Sequence, residues 1–174
     1  SLGDHGLMYK GCRFYEGLVR VPLIFSWPGN FIQNSQNNEL VEMLDLSATL
    51  LNLAGVDLPD YLQGVSLLPI LSGQTKGREH RDFVRSEYFD ALDPHFTGGN
   101  GTYATMHRTR QYKLCVYHGK GVGELFDLDQ DPWEHNNLWD SPAYSDIKNQ
   151  LLAESFDAHV LLTTDVGSKR IAPM

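Results

Sequence analysis

The residues of this chain best able to do chemistry are crowded near its start. Ser1-Leu-Gly-Asp-His-Gly-Leu-Met-Tyr-Lys-Gly-Cys-Arg-Phe-Tyr-Glu-Gly-Leu-Val-Arg20 sets Asp4, His5, Lys10, Arg13 and Arg20 in Gly-rich backbone, just ahead of an apolar run. A polar loop feeding a buried strand is how an α/β enzyme presents reactive groups at a sheet edge. Adjacent Asp4 and His5 are donors suited to a hard divalent metal, and the glycines let backbone approach a ligand closely. The competing reading is a turn in which Asp4 caps and His5 packs. Lys10, flanked by glycine, can act as a point charge on an anionic group, although most lysines are simply solvated. Arg20 lies within the apolar run, where an arginine needs a carboxylate; Glu16 and Asp4 are near in sequence, and a structural ion pair is expected.

Other reactive arrangements fail on spacing. Gly64-Val-Ser66-Leu-Leu lacks the second glycine of a nucleophile elbow. Gly119-Lys-Gly-Val-Gly123 has no strand and helix start around it, so it reads as a turn and not a phosphate loop. The seven histidines are scattered, with no His-x₃-His pair on a helix. Asn100-Gly-Thr102 fits a glycosylation acceptor. His95, Asn100 and His107 fall in the long connection between two β segments, where a loop that reads a ligand could sit. Cys12 and Cys115 form either one disulfide or two buried free thiols.

The elements that must position these groups follow from periodicity. Leu18 to Trp27 is nearly continuous in apolar residues and predicts a strand buried on both faces, with Pro22 favouring an edge or bulge and Pro28-Gly29-Asn30 stopping it. Gln33 to Asn38 reads as an exposed loop. Leu40 to Ala54 carries a helical stripe, with Asp45 or Ser47 able to cap a later start and Gly55 placed to end it. Ser66 to Gly73 repeats that grammar in miniature, with Pro69 in its first turn. Gln74 to His80 is polar and charged, and is the expected domain boundary. Beyond it the texture becomes β: Phe83 to Phe89, Thr102 to Arg108, Tyr112 to His118 and Glu124 to Leu128 predict an antiparallel sheet of about four strands. Asp131-Pro132-Trp133-Glu134 resembles a capping box. Ile147, Leu151, Leu152, Phe156, Val160 and Leu161 make an amphipathic helix able to cover one face of the sheet.

Bulk properties narrow the classes. The chain has 174 residues, 41% of them hydrophobic and 21% charged, as in a globular protein. The net charge of −8 argues against nucleic acid, which needs clustered Lys and Arg. No apolar run approaches the roughly 20 residues that span a membrane, so no membrane partner is expected. The abrupt start, without an initiator Met, reads as a piece of something larger.

With these residues in place, a family resemblance is evident. Leu2-Gly-Asp-His-Gly-Leu-x-x-Lys10-Gly, followed by Tyr15-Glu16-Gly-x-x-Arg20-Val-Pro-Leu-Ile24, closely resembles the segment of type I, formylglycine-dependent sulfatases (alkaline phosphatase superfamily) that follows their metal-binding Ser-Asp-His-Gly. Further matches follow in order: Asp45-Leu-Ser-Ala-Thr-Leu-Leu-x-Leu-Ala-Gly55, with Ala48 for the usual Pro; Gln63-Gly-Val-Ser-Leu67; Arg108-Thr-x-x-Tyr112-Lys113; and Glu124-Leu-Phe-Asp-Leu-x-x-Asp131-Pro-x-Glu134-x-x-Asn137-Leu138. The resemblance implies hydrolysis of sulfate esters, carbohydrate sulfates among them, with a divalent cation, usually Ca²⁺, in the intact enzyme. It implies that Lys10 contacts the sulfate. Asp4 and His5 match the second Asp-His of the family segment, so they become loop-shaping neighbours of a metal site, and no metal ligand is expected in this chain. The family nucleophile is made from Cys in Cys-x-Pro/Ala-x-Arg, which neither Cys12 nor Cys115 begins.

The implied fold class is α/β: residues 1–74 complete a large α/β sheet domain, and residues 75–174 form a small antiparallel sheet packed by a C-terminal helix. The missing partner is then the N-terminal portion of the sulfatase. The chain alone is expected to be inactive, and a periplasmic or exported location is what the family suggests. His95 and His107 stand as candidate substrate-binding residues. Two alternatives remain: a phosphoesterase or phosphonate monoester hydrolase of the same superfamily, and a non-catalytic accessory domain. Against the second stands the strand at Val19 to Phe25, which would lack neighbours.

Overall fold

The computed structural model describes residues 3–8, 10–74, 80–91 and 101–163. These residues divide into two compact units, one from 1–23 with 83–153, the other from 24–82 with 154–174.

The first unit is built on four strands, β1 (Phe83–Ala91), β2 (Thr102–Thr109), β3 (Tyr112–Tyr117) and β4 (Val122–Asp127). They form an antiparallel meander in the order β1-β2-β3-β4, as the alternation and the glycine turn predict. Register pairs Met106 with Cys115 and Leu114 with Leu125. Because side chains alternate along a strand, this register separates two faces. Tyr112, Leu114, Val116 and Leu125 share one face, where Leu151 of α4 (Ser145–Thr163) completes a buried cluster with Leu114 and Leu125. Gly123 lies on that face as well, and a Cβ there would strike the Trp139 ring. Lys113, Cys115, Tyr117, Glu124 and Phe126 point to the other face, which the chain's own N-terminal segment covers. A sheet buried on both sides explains why β3 is nearly continuously buried.

In the second unit, α2 (Leu44–Leu53) is shorter at its start than the stripe from Leu40 suggests. It begins at Leu44, ahead of Asp45 and Ser47, so neither caps it: the N-cap is Met43, without a side-chain hydrogen bond, and the Asp45 carboxylate instead accepts the Glu42 N–H at 2.9 Å. Gly55, at φ +69, ends α2 as expected. Gly55 donates to Asn52 O at 3.0 Å and Val56 to Leu51 O at 2.9 Å, the paired bonds of a Schellman stop. The short helix α3 (Leu68–Leu71) has Pro in its first turn, and the Ser66 hydroxyl accepts the Leu68 N–H at 3.3 Å. Gly73 then closes it, as the sequence predicts.

Three expectations are corrected. Leu18 to Trp27 is not a strand: α1 occupies Glu16–Val19, and residues 20–27 carry no regular structure. A strand exists only by pairing its backbone with a neighbour, and no described strand pairs with this run. Val21, Leu23 and Ile24 are 57%, 45% and 87% exposed. Second, Asp131-Pro-Trp-Glu134 starts no helix; it forms a turn in which Glu134 has φ +59 and Asp131 accepts the Asn136 N–H at 2.7 Å. Third, Arg20 is exposed rather than held in an ion pair with Glu16, because Glu16 is engaged elsewhere. The expected boundary at Gln74 to His80 lies largely outside the described residues. Cys12 and Cys115 are buried and free.

Candidate active-site segment

Asp4, His5, Met8 and Lys10 are exposed on glycine-rich backbone. A single 3₁₀ turn, Asp4–Gly6, is entered through Gly3 at φ +104, and Gly6 follows at φ +70, conformations that glycine reaches without steric cost. The His5 ring stacks flat on Tyr15, with centroids 3.7 Å apart and planes 2° from parallel. Tyr15 in turn donates from its hydroxyl to Glu124 on β4 at 3.2 Å. Burial, followed by the Glu124 carboxylate, pushes the Tyr15 phenol up to about 12, so it remains a neutral donor at physiological pH. His5 is thus held by its ring face against a tyrosine that is itself bonded to the sheet.

Behind this loop the chain is locked to the sheet. Cys12 and Phe14 are buried, the Phe14 ring lies 5.1 Å from Tyr88, and the Arg13 guanidinium sits 5.3 Å over the Tyr117 ring. The anchor is Lys113, whose side chain is 0% exposed. Its ammonium donates to the Phe14 carbonyl at 2.8 Å and to Glu134 Oε1 at 2.7 Å, and lies 2.6 Å from Glu16 Oε1. These three acceptors match its three protons. The other oxygen of Glu134 accepts the Glu16 backbone N–H at 2.6 Å, and Arg108 Nε donates to Glu16 Oε1 at 3.3 Å. Two cations and two carboxylates balance in charge. Burial alone would raise the Glu16 carboxyl, but Lys113, and after it Arg108, outweigh that and hold it below its ordinary value.

A pocket of about 640 Å³ opens beside this cluster, lined among others by Asp4, His5, Arg20, Arg110, Trp133 and His135. Lys10 is exposed and is not among the lining residues. His107 sits inside β2 rather than in a connection. Opposite Leu114, it faces away from the Lys113 side of the sheet, 1% exposed, its ring 4.7 Å from Phe83. His95 lies outside the described residues. The chain therefore gathers Asp4 and His5 with Tyr15 and His135, and leaves His107 on the opposite face. Sequence reasoning missed Glu16, Glu134 and Lys113 as one cluster; the available signal was a lysine sharing an inward face with Cys115 and Tyr117.

Asp4 and His5 do not fit a metal centre on their own. Among the described residues, no group of three or more His, Cys, Asp or Glu is arranged to hold an ion. Cys115, whose thiol burial and then Glu124 push well above its ordinary value, stays protonated and unreactive at neutral pH. No described helix is long and apolar enough to cross a membrane.

Residues 3–159 match the family model described as N-sulphoglucosamine sulphohydrolase, C-terminal. This chain belongs to the sulfatase family. Within the alkaline phosphatase superfamily it corresponds to the C-terminal part of the sulfatase domain. It is 34% identical over 149 residues to a Delta 4,5-hexuronate-2-O-sulfatase of Bacteroides thetaiotaomicron, covering 84% of this chain and 30% of that one. It is 35% identical over 169 residues to bovine arylsulfatase A, covering 86% and 33% respectively. A crystal structure from B. thetaiotaomicron, itself provisionally assigned as a sulfatase, superposes with a TM-score of 0.78 at 32% identity, covering 92% of this sulfatase chain and 34% of the other. The chain spans about a third of the length of these relatives. Its mixed architecture, a four-stranded antiparallel sheet with a C-terminal helix, is theirs. Intact members of the family use a divalent cation.

Proposed function

We propose that this chain is the C-terminal part of a hydrolase of carbohydrate sulfate esters, in which Lys10 is the cation that meets the sulfate. The observation that carries this reading is the family match over residues 3–159, with Lys10 at the lysine of the Gly-Asp-His-Gly-Leu-x-x-Lys-Gly segment. The names of two relatives, a hexuronate-2-O-sulfatase and an N-acetylglucosamine-6-O-sulfatase, support carbohydrate sulfates as the substrate class.

The chemistry is electrostatic. As the S–O bond of a sulfate ester breaks, negative charge grows on the bridging and sulfuryl oxygens, and an ammonium aimed there stabilises the transition state. An ammonium keeps its proton at neutral pH, so no activating base is needed. The nucleophile, a formylglycine in this family, is not supplied by Cys12 or Cys115, and the divalent cation, Ca²⁺ by family resemblance, would supply further charge stabilisation from ligands other than Asp4 and His5. Residues 1–74 then complete the large α/β domain and 75–174 form the C-terminal subdomain.

In the full-length enzyme, Lys10→Ala is expected to lower kcat on an aryl or carbohydrate sulfate by about 10²–10³; an unchanged kcat overturns the role. One observation favours a second reading: a phosphonate monoester hydrolase of Silicibacter pomeroyi superposes with a TM-score of 0.59 at 25% identity, over 70% of this chain and 25% of that one. Parallel assays on a sulfate ester and a phosphonate monoester decide between them. Preference for the phosphonate would sink the sulfatase reading while leaving Lys10 its place.

A further inference from the structure

We propose that the buried Lys113–Glu16–Glu134 cluster is the positioning device for Lys10, setting the direction of that ammonium from the C-terminal sheet. This inference rests on the catalytic role given to Lys10 above.

Lys10 stands on backbone that does little to place it: Gly6 and Gly11 lie on either side of it in sequence, both at positive φ. Rigidity must enter from where the chain is next held, and that is residues 12 to 16. Cys12 and Phe14 are buried, yet burial fixes depth more than orientation. Orientation comes from two bonds to backbone atoms. Lys113 takes the Phe14 carbonyl at 2.8 Å, and Glu134 takes the Glu16 N–H at 2.6 Å. Together they fix the peptide planes on both sides of Tyr15, the residue on which His5 stacks. The loop bearing Lys10 is thus held at both ends, at His5 in front and at Phe14 to Glu16 behind.

An apolar plug would hold the segment with less desolvation, but it would not specify the peptide planes. Directional ionic bonds do. Strand β3 and the turn after Asp131 lie about a hundred residues along the chain, so the cluster links the C-terminal subdomain to the loop that carries the sulfate-contacting cation. Misplacing a reacting group by about 1 Å is enough to cost on the order of 10²-fold in rate.

The test is a double-mutant cycle in the full-length enzyme, using Glu134→Gln, Lys10→Ala and the pair, with kcat and KM measured well below each variant's Tm. Glu134→Gln preserves shape while weakening the hold on Lys113. It is expected to lower kcat 10- to 100-fold with KM changed less than threefold, and to have almost no effect on kcat in the Lys10→Ala background. An equal loss in both backgrounds means that the cluster supports the fold without acting through Lys10, and overturns the inference. So does an unchanged kcat for Glu134→Gln. If Lys10→Ala alone leaves kcat intact, the catalytic reading of Lys10 itself has failed. Should Glu134→Gln not accumulate as folded enzyme, Lys113→Arg is read by the same criteria, since a guanidinium keeps the charge but cannot place one atom on all three acceptors.

Discussion

One buried carboxylate illustrates how much a single residue decides. Asp45 is fully buried. It accepts the N–H groups of Glu42 at 2.9 Å and Val65 at 2.7 Å and the Arg81 Nε–H at 3.0 Å, meets Arg81 Nη2 through its other oxygen, and lies 3.1 Å from His80 Nε2. Burial opposes its charge, but the bonds from His80, Arg81 and the two backbone donors more than compensate, holding its carboxyl well below the ordinary range. A depressed folded-state pKa contributes stability that is present in full at neutral pH and is lost as pH falls below about 4, the unfolded value. Asp45→Asn is expected to cost about 3 kcal/mol at pH 7 and to flatten the loss of stability between pH 4 and pH 2, read from denaturant melts across that range. His80, Arg81 and Glu42, which pairs with Arg81 at 3.6 Å, are the other titratable groups facing it. Its bond to the Glu42 N–H, three residues back, obeys local geometry, yet it is not the cap the sequence suggests, since α2 begins at Leu44 behind Met43. Its partnership with Arg81 could not be read from the sequence, because 36 residues separate the two.

Among the elements, α4 shows where amphipathic spacing stops predicting burial. The stripe Ile147, Leu151, Leu152, Phe156, Val160, Leu161 predicts a helix that covers the sheet. The helix is present over Ser145–Thr163, yet Leu151 is buried among Leu114 and Leu125 while Phe156 is 67% exposed. Periodicity specifies which side of a helix is apolar, but not which of its apolar residues finds a partner. Leu151→Ala is therefore expected to cost about 2–5 kcal/mol through the cavity it leaves, and Phe156→Ala within about 0.5 kcal/mol, both read from chemical denaturation. Comparable losses at the two sites would show that Phe156 is packed as closely as Leu151. The four strands were easier to read, because turn residues and alternation are local signals and each strand pairs with its sequence neighbour.

Across the whole molecule, the run Val21 to Trp27 is the feature that matters most. Its valine, leucine, isoleucine and tryptophan are exposed, more than a few isolated apolar residues would explain. On its own, the 174-residue chain is expected to bind a hydrophobic dye such as ANS and to elute as associated species in size-exclusion chromatography, and to turn over no aryl sulfate above blank. A monomeric, dye-silent chain would favour a freestanding domain over a part of a larger enzyme, and turnover would mean that its own residues supply the nucleophile.

What the sequence by itself determined were the family, the four-stranded meander and the glycine-terminated helices. Each is written in local spacing: a motif, a period of two or a helix stop within a few residues. Only the tertiary structure decided which charges are buried and what they hold. Lys113 reaches Phe14 across 99 positions and Glu134 reaches Glu16 across 118, and no local rule connects residues so far apart. The same reasoning separates the apolar run at residues 18–27 from a true strand. Composition can make a segment ready to pair, but pairing requires a second backbone brought alongside it.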